Sequence, residues 1–338
     1  MFNSNTGFFT GLITAAAILA ASTVAHAQAG GEQTPIRLGW LKASLSTIVQ
    51  AIAEEKDLYA ANGLVATVTP VGSGNNASGI EALMRGDFDV YFGPMSEMTR
   101  LNAVAVEQKS NPPLVAVGVG TPGASHLVMK KGVVYEGLES LRGKTIGVSS
   151  PGSIHLIMFR HFLNEQGQTT ESLGLNIVRV AGSDMVPALL TNQIDGFLHS
   201  QPTPALAVAN DAGFVAIPPS EMGEVGQSPT SAVMVSRDWA AKNPEAVQKV
   251  LRAFRQASDA FSDMSEEELV AIAQESIGAE PEVLKSAIPY VNPRLMDDFE
   301  AAAKIYWKTE IAAMKSRGEI VDEFDVQHMF DFSYGNGN

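Results

Sequence analysis

"ALMRGDFDVYFGP", residues 82–94, is answered 106 positions later by "ALLTNQIDGFLHS", residues 188–200. Ala82-Leu83 matches Ala188-Leu189 and Asp89 matches Asp195. Each stretch passes from helically spaced apolar residues through a polar break into a short β-like run. Working outward, "NGLVATVTPVGSGNN" (62–76) is answered by "LGLNIVRVAGSDMVP" (173–187), with Gly63-Leu64 against Gly174-Leu175 and Gly72-Ser73 against Gly182-Ser183. Further back, "PIRLGWLKAS" (35–44) is answered by "KTIGVSSPGS" (144–153), each a β-like run that breaks into a polar loop. Three blocks in one order at nearly one offset imply two copies of a βαβαβ unit.

Period and punctuation predict strands over 36–40, 65–71 and 88–92 in the first copy, with helices over 47–61 and 77–85. The second copy reads as strands over 145–148, 176–180 and 194–198, with helices over 153–166 and 185–191. Strands alternating with helices make a mostly parallel sheet with right-handed crossovers, and ligands of such sheets gather at the carboxyl ends of the strands. Those ends are 40–44, 72–76 and 93–97 in one copy and 149–153, 182–184 and 199–201 in the other, six loops expected to converge. After a loop rich in Pro, Gly and Glu (218–231) come a strand over 232–236 and a helical tail. In the tail Asn243 is expected to cap, Pro244 to open the helix, and Val247, Val250, Leu251, Phe254 and Phe261 to form one apolar stripe. Further helices are expected over 266–277, 281–288 and 295–314, and the tail should pack back on the first lobe. The fold class is therefore α/β: two doubly wound lobes, a hinge, and a helical C-terminal tail. Lobe 1 is expected over 28–125 and again over 232–338, lobe 2 over 126–231, with 127–129 and 233–235 as the connecting strands. A hinge crossed twice lets the cleft close around a ligand.

"GFFTGLITAAAILAA" (7–21) is an apolar core of signal-peptide length, and Ala25-His26-Ala27 offers the small-x-small cleavage pattern, so export with cleavage after Ala27 is expected. Residues 1–27 hold no Asp, Glu, Lys or Arg, so the rest of the chain keeps the whole formal charge of −14. An acidic balance with no basic run argues against nucleic acid and against anionic membrane surfaces, though not against a small anion met by local donors. With no cysteine there is no disulfide, no thiolate metal site and no lipidated cysteine. A periplasmic protein without a cofactor fits best.

Several motifs do not carry chemistry. "GVGTPG" (118–123) matches a dinucleotide pattern, yet "ASHLVMKK" after it reads as a strand and not as the helix whose N-terminus would hold a pyrophosphate. His155 and His161 are six apart, off a common helical face, and neither a metalloprotease spacing nor a nucleophile elbow occurs, so neither a metal site nor an enzyme is expected.

"GLESLRGKTIGVSSPGSIHLIMFRHFL" (137–163), "ALLTNQIDGFLHSQP" (188–202) and "MVSRDWAAKNPEAVQKVLRAF" (234–254) together resemble the nitrate, sulfonate, taurine and thiamine-pyrimidine class of ABC-importer substrate-binding proteins. The resemblance implies a type II periplasmic binding fold, a monomer, and delivery of a small solute to a membrane permease. It also implies that Ser149, Ser150 and Ser153 line the cleft with His155 one helical step on, and that Trp40, Leu41 and Lys42 face them. Where many relatives carry an acid, this chain has His199-Ser200-Gln201-Pro202, which disfavours a ligand amine such as taurine's unless Glu97 or Asp184 supplies the charge. Fungal pyrimidine synthases on the same fold use a cysteine-rich iron segment that is missing here.

The residue types fit an oxyanion or a polar heterocycle. Tetrahedral or planar oxyanions are well met by neutral donors: hydroxyls, amides and the first N–H groups of a helix. Ser73, Asn75, Ser96, Ser150, Ser153 and Gln201 are of that kind, with Pro94 and His199 on neighbouring strand ends, Trp40 as an apolar wall and Lys42 as a full positive charge. The favoured solute is sulfonate-, taurine- or nitrate-like; a thiamine-precursor pyrimidine or an aromatic acid is the alternative.

Overall fold

The structure, a computed structural model, describes residues 33–42, 44–71 and 76–335. The leader expected over 1–27 and the candidate residues Ser73 and Asn75 lie outside them. The described strands are β1 (Thr34–Leu41), β2 (Leu64–Val71), β3 (Val90–Pro94), β4 (Leu114–Pro122), β5 (His126–Lys130), β6 (Thr145–Val148), β7 (Asn176–Arg179), β8 (Gly196–His199), β9 (Gly213–Ile217) and β10 (Pro229–Ser236). The helices are α1 (Val49–Glu55), α2 (Leu58–Ala61), α3 (Asn76–Arg85), α4 (Ser96–Glu107), α5 (Ile154–Glu165), α6 (Met185–Leu190), α7 (Thr203–Ala209), α8 (Arg237–Lys242), α9 (Pro244–Asp263), α10 (Glu266–Ile277), α11 (Pro281–Ala287), α12 (Phe299–Tyr306) and α13 (Ala312–Ser316).

The repeated stretch folds the same way twice. Helices α3 and α6 end in left-handed residues, Gly86 (φ 77°) and Asn192 (φ 60°). The following amides, Asp87 N and Gln193 N, each donate back to Ala82 O and Ala188 O at 2.9 Å, which closes the helix end. Next in chain, the Asp89 carboxylate accepts Arg37 N at 2.8 Å and the Asp195 carboxylate accepts Thr145 N at 2.9 Å. One aspartate thus pins the third strand of each copy to the first. Parallel pairing continues from there, Leu38 against Val90 and Ile146 against Gly196.

One sheet runs β2-β1-β3-β10-β4 and the other β7-β6-β8-β5-β9, the same order in both copies. The fourth strand of each is antiparallel and comes from the chain returning from the other sheet. The runs expected as connectors, 127–129 and 233–235, are therefore interior strands, and the chain crosses in the segments on either side of them, 123–125 and 218–228. "GVGTPG" falls in β4 and its turn into β5.

Local chemistry explains the departures. The helix expected over 47–61 divides at Asp57, whose φ of 52° ends α1 and starts α2. Asn243 makes no cap bond; its Nδ2 donates back to Trp239 O at 2.8 Å, and Pro244 opens α9 without help. The last long helix begins at Phe299, capped by Asp298, and passes through a π-helical turn (Trp307–Ile311) before α13.

Val247, Val250, Leu251 and Phe254 of α9 bury fully against Ile36, Leu38 and Phe92 of the first sheet, and Phe254 meets Phe92 at 5.4 Å between ring centres. Each such side chain contributes about 1.5–3 kcal/mol on burial. Helix α9 of the tail packs on the first sheet, and the end of the tail reaches the second lobe: the π turn and α13 pack on α5.

Candidate functional site

Between the sheets lies a cavity of about 60 Å³, walled by both lobes. Lobe 1 gives Leu41 at the end of β1, Ser44, Ser46 and Thr47 in the turn before α1, Pro94 at the end of β3, and Thr230 and Ser231 of β10. Lobe 2 gives Ser149, Ser153, Ile154 and His155 around the start of α5, and His199 and Ser200 at the end of β8; Ala124 lies in the crossing. None of these described lining residues is an acid, a lysine or an arginine.

Much of the wall is tied down by its own hydrogen bonds. Thr47 Oγ1 donates to Leu41 O at 2.9 Å, and Thr230 Oγ1 donates to Thr121 O at 2.8 Å. Thr121 Oγ1 lies 2.6 Å from Ser46 O and so donates to it, which makes Ser231 the donor in its 2.7 Å contact with Thr121. Thr121 holds φ 58°, a costly backbone for a β-branched residue, and these partners over-determine it. Ser153 Oγ accepts Leu156 N at 3.3 Å and caps α5. The hydroxyls of Ser46, Ser149 and Ser200 have no partner among the described residues.

Contacts between the lobes close the cavity on two sides. Arg100 Nη1 of α4 donates to Gly152 O at 2.9 Å, in the loop that leads into α5, while Nη2 pairs with Glu319 at 3.0 Å. On the other side α7 packs on α11, Ala205 joins the lobe 1 core, and His126 of β5 meets the Tyr290 ring at 6.1 Å.

Three histidines sit together, and all are held neutral. Burial pushes His126 down to about 4 and His155 well below its ordinary value, the latter aided by the neighbouring His199 and His126. Burial also lowers His199, partly offset by the Ser200 carbonyl. Nearby, Glu97 is raised by burial, and the Ser96 hydroxyl donates to it.

The structure brings six of the expected residues to the wall: Leu41, Pro94, Ser149, Ser153, His155 and His199. Others lie elsewhere. Trp40 points to the opposite face of β1 from Leu41, as strand alternation requires, and is buried with Ile36 and Leu38. Its ring and the exposed Lys42 border a separate groove with Glu54, Glu55 and Glu275. Ser96 is buried against Glu97 at the start of α4. Half-buried Ser150 offers its carbonyl to Ser153 N at 3.1 Å, and Asp184 is exposed ahead of α6. Gln201 Oε1 accepts Ala205 N at 3.1 Å, so this side chain caps α7. Sequence reasoning missed Ser44, Ser46, Thr47, Thr230 and Ser231. A cluster of small hydroxyl residues at the end of β1 and at the start of β10 was the available signal.

Among the described residues no group of three or more acids or histidines is placed to hold a metal ion, and no helix is long and apolar enough to cross a membrane. Residues 29–274 match the NMT1-like family. No curated protein matches. Among solved structures the chain is similar to the alkanesulfonate-binding protein SsuA of Xanthomonas axonopodis pv. citri bound to MOPS, with 16% identity and a TM-score of 0.73 over 89% of this chain and 99% of that one. It is similar to the periplasmic aliphatic sulphonate binding protein SsuA of Escherichia coli, with 18% identity and a TM-score of 0.71 over 87% and 91%. It is also similar to the periplasmic nitrate-binding protein NrtA of Synechocystis PCC 6803, with 17% identity and a TM-score of 0.71 over 90% and 87%. Structural likeness of this degree establishes the fold, that of periplasmic binding proteins.

Proposed function

Because the chain belongs to the NMT1-like family, we propose that it is the exported solute-binding component of an ABC importer, which closes two lobes on a small polar or anionic solute and hands it to a membrane permease. The observation that carries this reading is the uncharged cavity between the lobes, walled by both and offering three unclaimed hydroxyls, Ser46, Ser149 and Ser200. A cavity of this size has room for about four to six water-sized groups, which suits a nitrate-sized or one-carbon sulfonate solute better than a substituted pyrimidine. Hydroxyls and the first turn of α5 would meet its oxygens. Catalysis finds no support: Ser125 and His155 form a hydroxyl–imidazole pair at 2.7 Å, but Ser125 is fully buried and outside the cavity wall. The protein would work as a monomer in the periplasm.

A thermal-shift screen over nitrate, alkanesulfonates, taurine, aromatic acids and hydroxymethylpyrimidines tests the reading. A cognate solute at a hundred times its Kd adds about 2.7 kcal/mol of stability by mass action. The Ser46→Ala/Ser149→Ala double variant should lose at least about tenfold in affinity while the empty protein melts unchanged. Ser153→Ala should instead lower the melting temperature of the empty protein, because losing a cap costs about 1 kcal/mol. A screen in which no solute stabilises the protein would overturn the proposal.

A further inference from the structure

His155, on the first turn of α5, and His199, at the end of β8, line the cavity with ring centres 5.4 Å apart and planes inclined by 37°. Each has one nitrogen committed to the wall. His199 Nδ1 lies 3.0 Å from Ser200 O, and a carbonyl only accepts, so Nδ1 carries the ring hydrogen. With the ring neutral, His199 Nε2 is a bare lone pair. His155 Nδ1 lies 2.7 Å from Ser125 Oγ, whose single hydrogen has a second claimant in Met158 Sδ at 3.2 Å. Ser125 gives that hydrogen to Met158, so its oxygen accepts from His155 Nδ1, and His155 Nε2, like His199 Nε2, is a bare lone pair. Neither Nε2 has a partner among the described residues. The pair therefore offers the solute two acceptors, one at His155 and one at His199.

The surroundings preserve this polarity. The remaining titratable group packed on the two rings is His126, fully buried and neutral. Beside His199, Gly182 keeps space open, since a Cβ at that position would lie 2.9 Å from His199 Nε2.

Resting on the solute-binding reading above, we infer that the cavity selects a small solute that carries two N–H donors, of the primary carboxamide kind, over oxyanions that carry no hydrogen. The two N–H groups of a primary amide satisfy His199 Nε2 and His155 Nε2, and a wall hydroxyl such as Ser149 donates to its oxygen. Nitrate or an alkanesulfonate sets oxygen lone pairs against the His199 lone pair, unless the ring takes up a proton against its burial. Sites built to hydrogen-bond a specific donor discriminate strongly against analogues that lack it.

The experiment titrates the full chain at pH 7.5 with acetamide, its isostere acetate, nitrate and methanesulfonate, by calorimetry in two buffers of different ionisation heat. Acetamide should bind at least about tenfold tighter than acetate, with no proton exchanged. His199→Phe should bring that ratio to within about twofold, and His199→Asn, which restores an acceptor, should recover it in part. Anions binding more tightly than acetamide, or an acetamide preference untouched in His199→Phe, overturns the inference and leaves the solute-binding reading standing. Failure of all four probes together with the wider solute screen overturns both.

Discussion

In lobe 1 the chain leaves α3 through Gly86, anchors Asp89 on Arg37 N and enters β3; in lobe 2 it leaves α6 through Asn192, anchors Asp195 on Thr145 N and enters β8. The likeness extends to the side chain before the aspartate, which packs over a glycine of the first strand: Phe88 over Gly39, Ile194 over Gly147. Beyond the third strand the copies part. β3 ends in Pro94 and the buried Met95, whereas β8 ends in His199 and Ser200. Scaffold is thus repeated to the level of single hydrogen bonds, while the strand tips that wall the cavity are individual to each lobe. The lobes also differ in what is added to them, since the helical tail belongs mainly to lobe 1.

That addition produces the largest expected contrast, because the two parts respond to pH in opposite directions. Glu310, on the π turn of the tail, is fully buried; Ser228 Oγ donates to it at 2.8 Å, and burial pushes its carboxyl up to about 8. The folded state keeps a proton that the unfolded chain releases near 4.5, so stability falls as pH rises from there to about 8. Glu310→Gln should remove this alkaline loss, a gain on the order of 4 kcal/mol at pH 9, and change little at pH 4. The lobe 2 histidine His126 works in the other direction. The unfolded chain takes up its proton below about 6.5 and the folded one only near 4, so stability is full above 6.5 and falls as pH drops through that window. Relative to the parent, melting temperature from pH 4 to 9 should rise with pH in Glu310→Gln and fall with pH in His126→Gln. A change of the same sign in both would break the contrast between tail and lobe.

Within the repeat, the glycine positions come next. A Cβ on Gly39 would stand 2.5 Å from the rigid Phe88 ring, whereas one on Gly147 would stand 3.0 Å from the movable end of Ile194. Denaturant midpoints should place Gly39→Ala about 3 kcal/mol below the parent and Gly147→Ala about 1; equal losses would mean that the two packing sites are equivalent after all. The aspartates should behave alike. Asp89→Ala and Asp195→Ala each strand one amide of the first strand, a loss of about 1.5 kcal/mol. Asp89 also pairs with the exposed Arg37 and Asp195 with Lys130 at 3.8 Å; such pairs add little, so a gap much above about 0.5 kcal/mol would assign the closer Arg37 pair a larger role. Smallest of all, Asn192→Gly should stabilise by about 0.5 kcal/mol, since glycine holds a left-handed φ more easily, and Gly86→Asn should lose a similar amount.

Much of the scaffold was legible because it is local. Apolar period marked α3, α5, α6 and α9, and the matched stretches that contain Asp89 and Asp195 placed the strands over 88–92 and 194–198 within two residues of β3 and β8. The parts that were harder to read depend on partners far along the chain. Nothing near Gln201 indicates that its amide caps α7 instead of facing a solute. Nothing near Trp40 fixes which face of β1 turns toward the cleft; that follows from α9 and α10 covering the other face.

The sequence alone determined the two copies, the alternation of strands and helices within them and the loops at the strand ends, because hydrophobic period and turn chemistry act over a few residues. Only the tertiary structure decided the composition of the cavity, since its wall joins segments as distant in the chain as Leu41 and Ser231. The state of each imidazole likewise depends on what reaches it: Ser125 comes from 30 residues away to claim His155 Nδ1, while the Ser200 carbonyl next in chain claims His199 Nδ1. Burial then keeps both rings neutral, and burial is a property of the closed assembly of lobes rather than of any stretch of chain.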